Sequence, residues 1–207
     1  MSRMTDSLVV FLHGVGASGA ELAPLAEPLS AFVPSAAFAW PNAPAAFDGG
    51  EFGRQWFSVA GVSADNRQER VERAREGFDR VVKAAIAERG FADRLDRVAF
   101  FGFSQGAIMG LDAVASGRWR VAAVVAAAGR LPGAAYPLRA AVATPVLLLH
   151  GEADTVVPAE ESRRAAARLK AARFAVDTRF FPQLGHALSA EGVEAAGAFL
   201  ARALKPV

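Results

Sequence analysis

Val98-Ala99-Phe100-Phe101-Gly102-Phe103-Ser104-Gln105-Gly106-Ala107 decides the reading of this chain. Its first four residues form an apolar run of the kind that fills a buried strand, and a helical pattern begins right after it. Between the two lies Gly-x-Ser-x-Gly, the signature of a nucleophile elbow, in which a serine sits at the tip of a strained strand-to-helix turn. Glycine is needed at 102 and 106 because a side chain there would collide across so tight a turn. The structural alternative is a serine that merely caps a helix. The flanking glycines and the buried strand argue against it.

Outward from the elbow, short apolar runs alternate with helical patterns. Strands are expected at Leu8–Leu12, Ala36–Trp40, Arg97–Gly102, Val121–Ala127, Val146–His150 and Ala175–Phe181. Helical stretches are expected near Glu21–Leu29, Asn66–Arg89, Gln105–Ala115, Ala159–Ala172 and Glu191–Leu204. Such alternation means βαβ units, so the fold class is α/β, with a mainly parallel central sheet covered by helices on both faces. The continuous apolar strands agree with burial on both sides. Residues 1–207 read as a single domain. Two irregular stretches, Pro41 to about Gly53 and Gly129 to Thr144, follow strand ends, where ligand sites form. The second could flap over the site edge. Neither is long enough for a cap domain, so an open, shallow site is expected.

Composition narrows the partners. The net charge of +2 gives no reason to expect nucleic acid, and the 20 arginines are scattered rather than clustered. No cysteine is present, which excludes a thiol nucleophile. The first apolar run has five residues and no cleavage site after it. Nothing approaches the ~20 apolar residues of a membrane span, so no stable membrane insertion and a cytoplasmic location are expected.

A serine hydroxyl needs a histidine base, and the base needs an orienting carboxylate. The three histidines are His13, His150 and His186. In folds that use this elbow the chain order is nucleophile, acid, histidine. Only His186, in Leu184-Gly185-His186-Ala187, leaves room for an acid at an intervening strand end. That acid is Asp154, in Gly151-Glu152-Ala153-Asp154, although a turn aspartate before Pro158 is the structural alternative. Asp112, Asp177 and Glu160 fall inside helices or strands. His13 and His150 are expected to tie loops to the backbone. The oxyanion of a tetrahedral intermediate needs donors, expected from the N–H of Gln105 and from Val15 in the glycine-rich loop His13-Gly14-Val15-Gly16. A phosphate-binding reading of that loop has a glycine at position 19 but fails for want of a suitable acid ~20 residues further on. Ile108, Met109 and Leu111 read as core, and Arg67 to Arg75 as a solvated helix face. Trp56 either floors an acyl pocket or packs as core.

With these residues in view, the chain resembles the phospholipase/carboxylesterase family of α/β-hydrolases, which includes the acyl-protein thioesterases. The matching pieces are Leu12-His13-Gly14-Val15-Gly16, Trp40-Pro41-Asn42-Ala43-Pro44, Gly102 to Ala107, His150-Gly151-Glu152-Ala153-Asp154 with Val157-Pro158, and Gly185-His186. Arg54-Gln55-Trp56-Phe57-Ser58-Val59 with Asp65-Asn66-Arg67 is similar to the small bacterial serine esterases of that family. The resemblance implies an α/β-hydrolase fold without a cap domain. It also implies a serine hydrolase that cleaves short- to medium-chain carboxylic esters with Ser104, Asp154 and His186, without cofactor or metal. The Val15 and Gln105 amides would form the oxyanion hole, and Trp56 and Val156 would line the acyl channel. Its partners would be small-molecule esters or thioesters, acting as a monomer or homodimer. The alternative within the resemblance is a thioesterase or lysophospholipase acting on acylated proteins, acyl-CoA or lysolipids.

Overall fold

Four strands of this chain are buried on both faces, and together they make the interior of one sheet. The computed structural model describes residues 5–134, 136–139 and 144–205. The strands are β1 (Ser7–Leu12), β2 (Ala36–Ala39), β3 (Ala45–Ala46), β4 (Arg54–Gln55), β5 (Val98–Phe103), β6 (Ala123–Ala127), β7 (Val146–Gly151) and β8 (Val176–Phe181). The helices are α1 (Ala26–Ser30), α2 (Arg67–Glu88), α3 (Gln105–Ala115), α4 (Glu160–Ala171) and α5 (Ala190–Ala203).

Six strands pair in the order β2-β1-β5-β6-β7-β8, all parallel. Residues of β1, β5, β6 and β7 are buried almost without interruption, which is why they read as continuous apolar runs. The edge strand β8 alternates instead, as expected where one face meets water. On one face Val10, Phe100, Val124 and Leu148 pack with Val71, Phe78 and Val82 of α2, Leu111 of α3 and Leu169 of α4. On the other, Phe11, Phe101, Val125 and Leu149 pack with Leu29 of α1 and Val193, Phe199 and Leu200 of α5. Truncating such a residue, for example Phe100→Ala, costs about 3–5 kcal/mol. No cap domain covers the sheet edge among the described residues, and none of their helices is long and apolar enough to cross a membrane.

The topology places the site. The chain runs from β1 outward to β2, then crosses back over α2 to β5 on the other side of β1. Connections leaving β1 and β5 therefore diverge, and a crevice opens beyond their carboxyl ends. Ser104 follows β5 and His13 follows β1, both at that crevice.

Some details depart from the expectations. The helix expected over Glu21–Leu29 is split into a 3-10 stretch, Gly19–Leu25, and the short α1, with Pro24 supplying no N–H where the ladder would continue. The stretch Pro41–Gly53 is less irregular than it reads, since β3 pairs antiparallel with β4. There the Arg54 guanidinium donates to the carbonyls of Ala43 at 2.9 Å and Pro44 at 2.6 Å. Within Gly129–Thr144, residues 135 and 140–143 lie outside the described residues. The described part is packed rather than free to flap: Leu131 and Tyr136 are buried, and Arg168 of α4 donates to the carbonyls of Gly133 and Tyr136.

The helix face from Arg67 to Arg75 is only partly solvated. Arg73 and Glu69 make the expected i,i+4 pair at 2.5 Å, but Arg75 turns inward to Asp112, at 2.9 Å. Asp112 is fully buried in α3 and also accepts from Arg118 at 2.7 Å and the Tyr136 hydroxyl at 2.6 Å. A carboxylate buried this deeply survives only with such partners. Burial pushes the Tyr136 phenol well above its usual range, reinforced by the Asp112 charge beside it.

Candidate active site

Ser104 has φ +53° and ψ −116°, a conformation a non-glycine residue adopts only where its surroundings enforce it. Those surroundings are the two glycines. A Cβ at 102 would lie 2.6 Å from the Ala107 backbone, and one at 106 would lie 2.0 Å from the Leu12 carbonyl oxygen. The elbow is thereby pressed against the end of β1. The Ser104 N–H donates to Ala127 O at 2.9 Å, fixing the turn to β6 as well.

Three strand ends converge on this hydroxyl. His186 Nε2 lies 2.9 Å from Ser104 Oγ, and its Nδ1 lies 2.7 Å from Asp154 Oδ2. The carboxylate accepts the Nδ1 proton, so Nε2 is left free to accept from the serine. Ser104 follows β5, Asp154 follows β7, and His186 lies between β8 and α5, 32 residues after the acid. The ring of His186 rests 5.1 Å from that of Phe103.

Asp154 is buried and held from several directions. Its Oδ1 accepts the N–H groups of Val156 and Val157, both at 2.8 Å. Burial pushes its carboxyl up, but the hydrogen bonds from His186, Val157 and Val156 and the His186 charge outweigh that and leave it below its ordinary value. His150 stands on its other side, with Nε2 3.2 Å from Asp154 Oδ2 and 2.8 Å from Val157 O. Its Nδ1 faces Ser162 Oγ at 2.6 Å. The expected loop-tying role of His150 therefore extends to the acid itself, through an i,i+4 spacing that the sequence displays.

His13 performs a similar task at the opposite wall. It is fully buried; its Nε2 accepts the Ala43 N–H at 2.9 Å, and so its Nδ1 carries the proton and donates to Gly14 O at 2.7 Å. Burial pushes this imidazole below its ordinary pKa, against the opposing pull of the Gly14 carbonyl. The Gly14 carbonyl and the Val15 N–H belong to one trans peptide and point in opposite directions. Holding the carbonyl inward turns the Val15 N–H outward. Neither that N–H nor the N–H of Gln105 donates to a protein acceptor among the described residues.

Sequence reasoning missed how the walls are clamped. The Gln105 side chain is buried; Oε1 accepts the Trp56 N–H and Nε2 donates to Phe57 O, each at 2.7 Å. The Trp56 indole donates to His13 O at 2.9 Å and packs 5.3 Å from Phe78. At 2 % exposure Trp56 packs as core and supports the loop, and with Phe57 and Ser58 it borders a surface cavity. Val156, two residues after the acid, is 65 % exposed, and its N–H is held by Asp154. Ile108, Met109 and Leu111 are buried, as expected.

Comparison with known proteins agrees with this architecture. The phospholipase/carboxylesterase family model matches residues 2–204. Esterase YpfH of Escherichia coli K12 is 32% identical over 191 residues, covering 90% of this chain and 78% of that protein. Acyl-protein thioesterase 1 of Gibberella zeae is 26% identical over 220 residues, covering 96% of this chain and 91% of that protein. Among solved structures, esterase PE8 superposes with a TM-score of 0.87 at 30% identity, covering 97% of this chain and 94% of that one.

Proposed function

The chain belongs to the phospholipase/carboxylesterase family of α/β-hydrolases, and we propose that within it the protein is a serine carboxylesterase for short- to medium-chain esters, with Ser104, His186 and Asp154 as its triad. The observation that carries this reading is the unbroken chain from Ser104 Oγ through His186 to Asp154, at 2.9 and 2.7 Å, beside two backbone N–H groups without acceptors among the described residues.

Ser104 Oγ attacks the ester carbonyl carbon while its proton passes to His186 Nε2. The negative charge that develops on the carbonyl oxygen is met by the Val15 and Gln105 N–H groups, which need no reorganisation. As the C–O bond breaks, Nε2 returns the proton to the departing alcohol. Water, deprotonated by the same imidazole, then attacks the acyl-serine and frees the acid. Asp154 keeps the imidazole in the productive tautomer and stabilises the imidazolium, and the hydrogen bonds that lower its carboxyl favour the ionised state this requires. No bound metal or cofactor enters these steps.

Hydrolysis of p-nitrophenyl esters from acetyl to palmitoyl, with Ser104→Ala as control, tests the reading. Activity greatest on short to medium chains and lost in the variant is the expected result. Equal turnover by Ser104→Ala would overturn it. The same machinery would cleave a thioester, and similarity to an acyl-protein thioesterase over nearly the whole chain supports that second reading. Activity confined to long chains, or a thioester outcompeting the matched ester, would favour this thioesterase or lysophospholipase alternative.

A further inference from the structure

Four of the 20 arginines that look scattered in sequence gather around one cavity. It measures about 440 Å³ and lies between the start of α2, the segment after β6 and the outer face of α4. Arg67, Arg130, Arg164 and Arg168 border it, against two carboxylates, Asp65 and Glu161. The remaining wall is small and apolar, chiefly alanines and Leu131.

The charges of these arginines are incompletely matched. Arg168 spends its hydrogen bonds on the carbonyls of Gly133 and Tyr136, which carry no charge. Arg130 has a side chain only 15% exposed, and its one carboxylate within reach is Glu161, at a loose 3.9 Å. Among the described residues neither Arg130 nor Arg67 donates a side-chain hydrogen bond. Arg164, at the rim, takes most of the attention of Glu161 and Glu160, at 3.4 and 3.6 Å. Burial and the neighbouring Arg67 both disfavour the Arg130 cation, while Glu161 and Asp154 favour it. Arg130 and Arg67 line the same cavity wall. The chain also brings Arg130 there directly, since Ala127 O holds the Ser104 N–H and Arg130 follows three residues later. Two guanidinium groups with open donors on the wall of one half-enclosed cavity, reached by the chain three residues beyond the carbonyl that holds the Ser104 N–H, suit an incoming oxyanion. Four arginines against Asp65, Glu161 and the Glu160 that pairs with Arg164 leave one positive charge, which a single carboxylate balances and a dianionic phosphate exceeds.

We propose that this cavity receives a carboxylate carried by the substrate, with Arg67 and Arg130 as its specificity-determining contacts, so that the preferred ester is an anionic one. This rests on the serine esterase reading, and the test separates the two. Wild-type kcat/KM is measured for p-nitrophenyl hemiglutarate against p-nitrophenyl valerate, which puts the charge on the acyl side. It is measured again for 4-butyryloxybenzoate against 4-butyryloxybenzamide, which puts it on the leaving group. The expected result is a preference for the anion of about tenfold or more in one pair, the scale of one charge-assisted hydrogen bond. It should shrink with added salt and fall toward unity in Arg67→Gln and in Arg67→Gln/Arg130→Gln. The single variant changes a half-exposed residue in the first turn of α2, so it keeps the test available should the double variant fold poorly. Arg202→Gln, on the far helix α5, serves as the control and should retain the preference. Free glutarate should compete with p-nitrophenyl valerate in the wild type, and glutaramide should not. Absence of anion preference in both pairs, or a preference that survives in Arg67→Gln and the double variant, overturns the proposal while leaving the esterase reading intact. Failure of every ester to turn over would end the esterase reading itself.

Discussion

His13 never touches the reacting atoms in this geometry, yet its replacement should slow the chemistry in a way that depends on which ring nitrogen is imitated. Nδ1 holds the Gly14 carbonyl inward and Nε2 holds Ala43. Asparagine reaches the Nδ1 position and can keep donating to Gly14 O. Glutamine reaches the Nε2 position and can keep accepting from Ala43 N–H, but it leaves the carbonyl unheld. Each variant strands one buried backbone group, worth about 1–3 kcal/mol of stability. On stability the two should therefore be similar. On rate they should differ: a Gly14–Val15 peptide free to rotate forfeits one oxyanion donor, and a missing donor of that kind lowers kcat by about 10²–10³-fold. His13→Gln should approach that loss with a smaller change in KM, whereas His13→Asn should stay within about tenfold of wild type. Steady-state kinetics on p-nitrophenyl butyrate, paired with urea unfolding of both variants, reads the two quantities separately. Equal losses of kcat in Asn and Gln, or a Gln variant near the wild-type rate, would refute the argument that this imidazole orients the Val15 N–H.

Further outcomes follow from the elbow and the acid. Ser104→Ala should lower kcat by about a million-fold, by analogy with other triads, while unfolding at nearly the wild-type temperature. Ser104→Gly should be equally inactive but more stable by about 1 kcal/mol, because glycine accepts φ +53° without strain; an unchanged or lower melting temperature would contradict the strain. Gly106→Ala should fail to fold or melt far below wild type, since its Cβ would meet the Leu12 carbonyl oxygen at 2.0 Å, and calorimetry decides it. Asp154→Asn should lower kcat by about 10⁴-fold, and a near-normal rate would remove it from the triad.

Much of this was legible in the sequence because its causes are local. A strand buried on both faces has to be apolar throughout, so β1, β5, β6 and β7 announce themselves. Gly102 and Gly106 bracket Ser104 because the turn leaves no room for anything else, and chain order then selects Asp154 and His186. What stayed hidden depends on partners distant in sequence. Nothing near Gln105 says that its amide will clamp Trp56 and Phe57, 49 and 48 residues away. Trp56 offers an aromatic surface that would suit a pocket or a core, and only the position of α2 decides for the core. Arg75 looks like its solvated neighbours until α3 presents Asp112 to it. The β3–β4 pair spans two residues in each strand, too short for any pattern of alternation.

Two buried groups of the site should also set how the fold responds to acid, each in its own window. His13 is held neutral, with its pKa below the ordinary ~6.5. Between that value and its folded pKa the unfolded chain binds a proton that the folded chain refuses. Stability from His13 is therefore complete above about pH 6.5 and is lost as pH falls below it, at up to about 1.4 kcal/mol per pH unit. Asp154 works lower on the scale. Its folded carboxyl lies below the ordinary ~3.9, so its contribution is fully present above the unfolded value and is lost as pH falls through the folded one. In both windows the unfolded state holds more protons, and in both stability rises with pH. The consequence is a separation that single variants can read. His13→Asn should flatten the stability curve just below about pH 6.5 and leave the carboxylate region below about pH 4 unchanged. Asp154→Asn should do the reverse, at a cost in absolute stability from three donors that lose a charged acceptor. Urea midpoints measured from pH 3 to pH 8 test this. Curves for the two variants that run parallel to wild type through both windows would mean that neither group's environment differs between the folded and unfolded chain, against the burial and hydrogen bonding described for each.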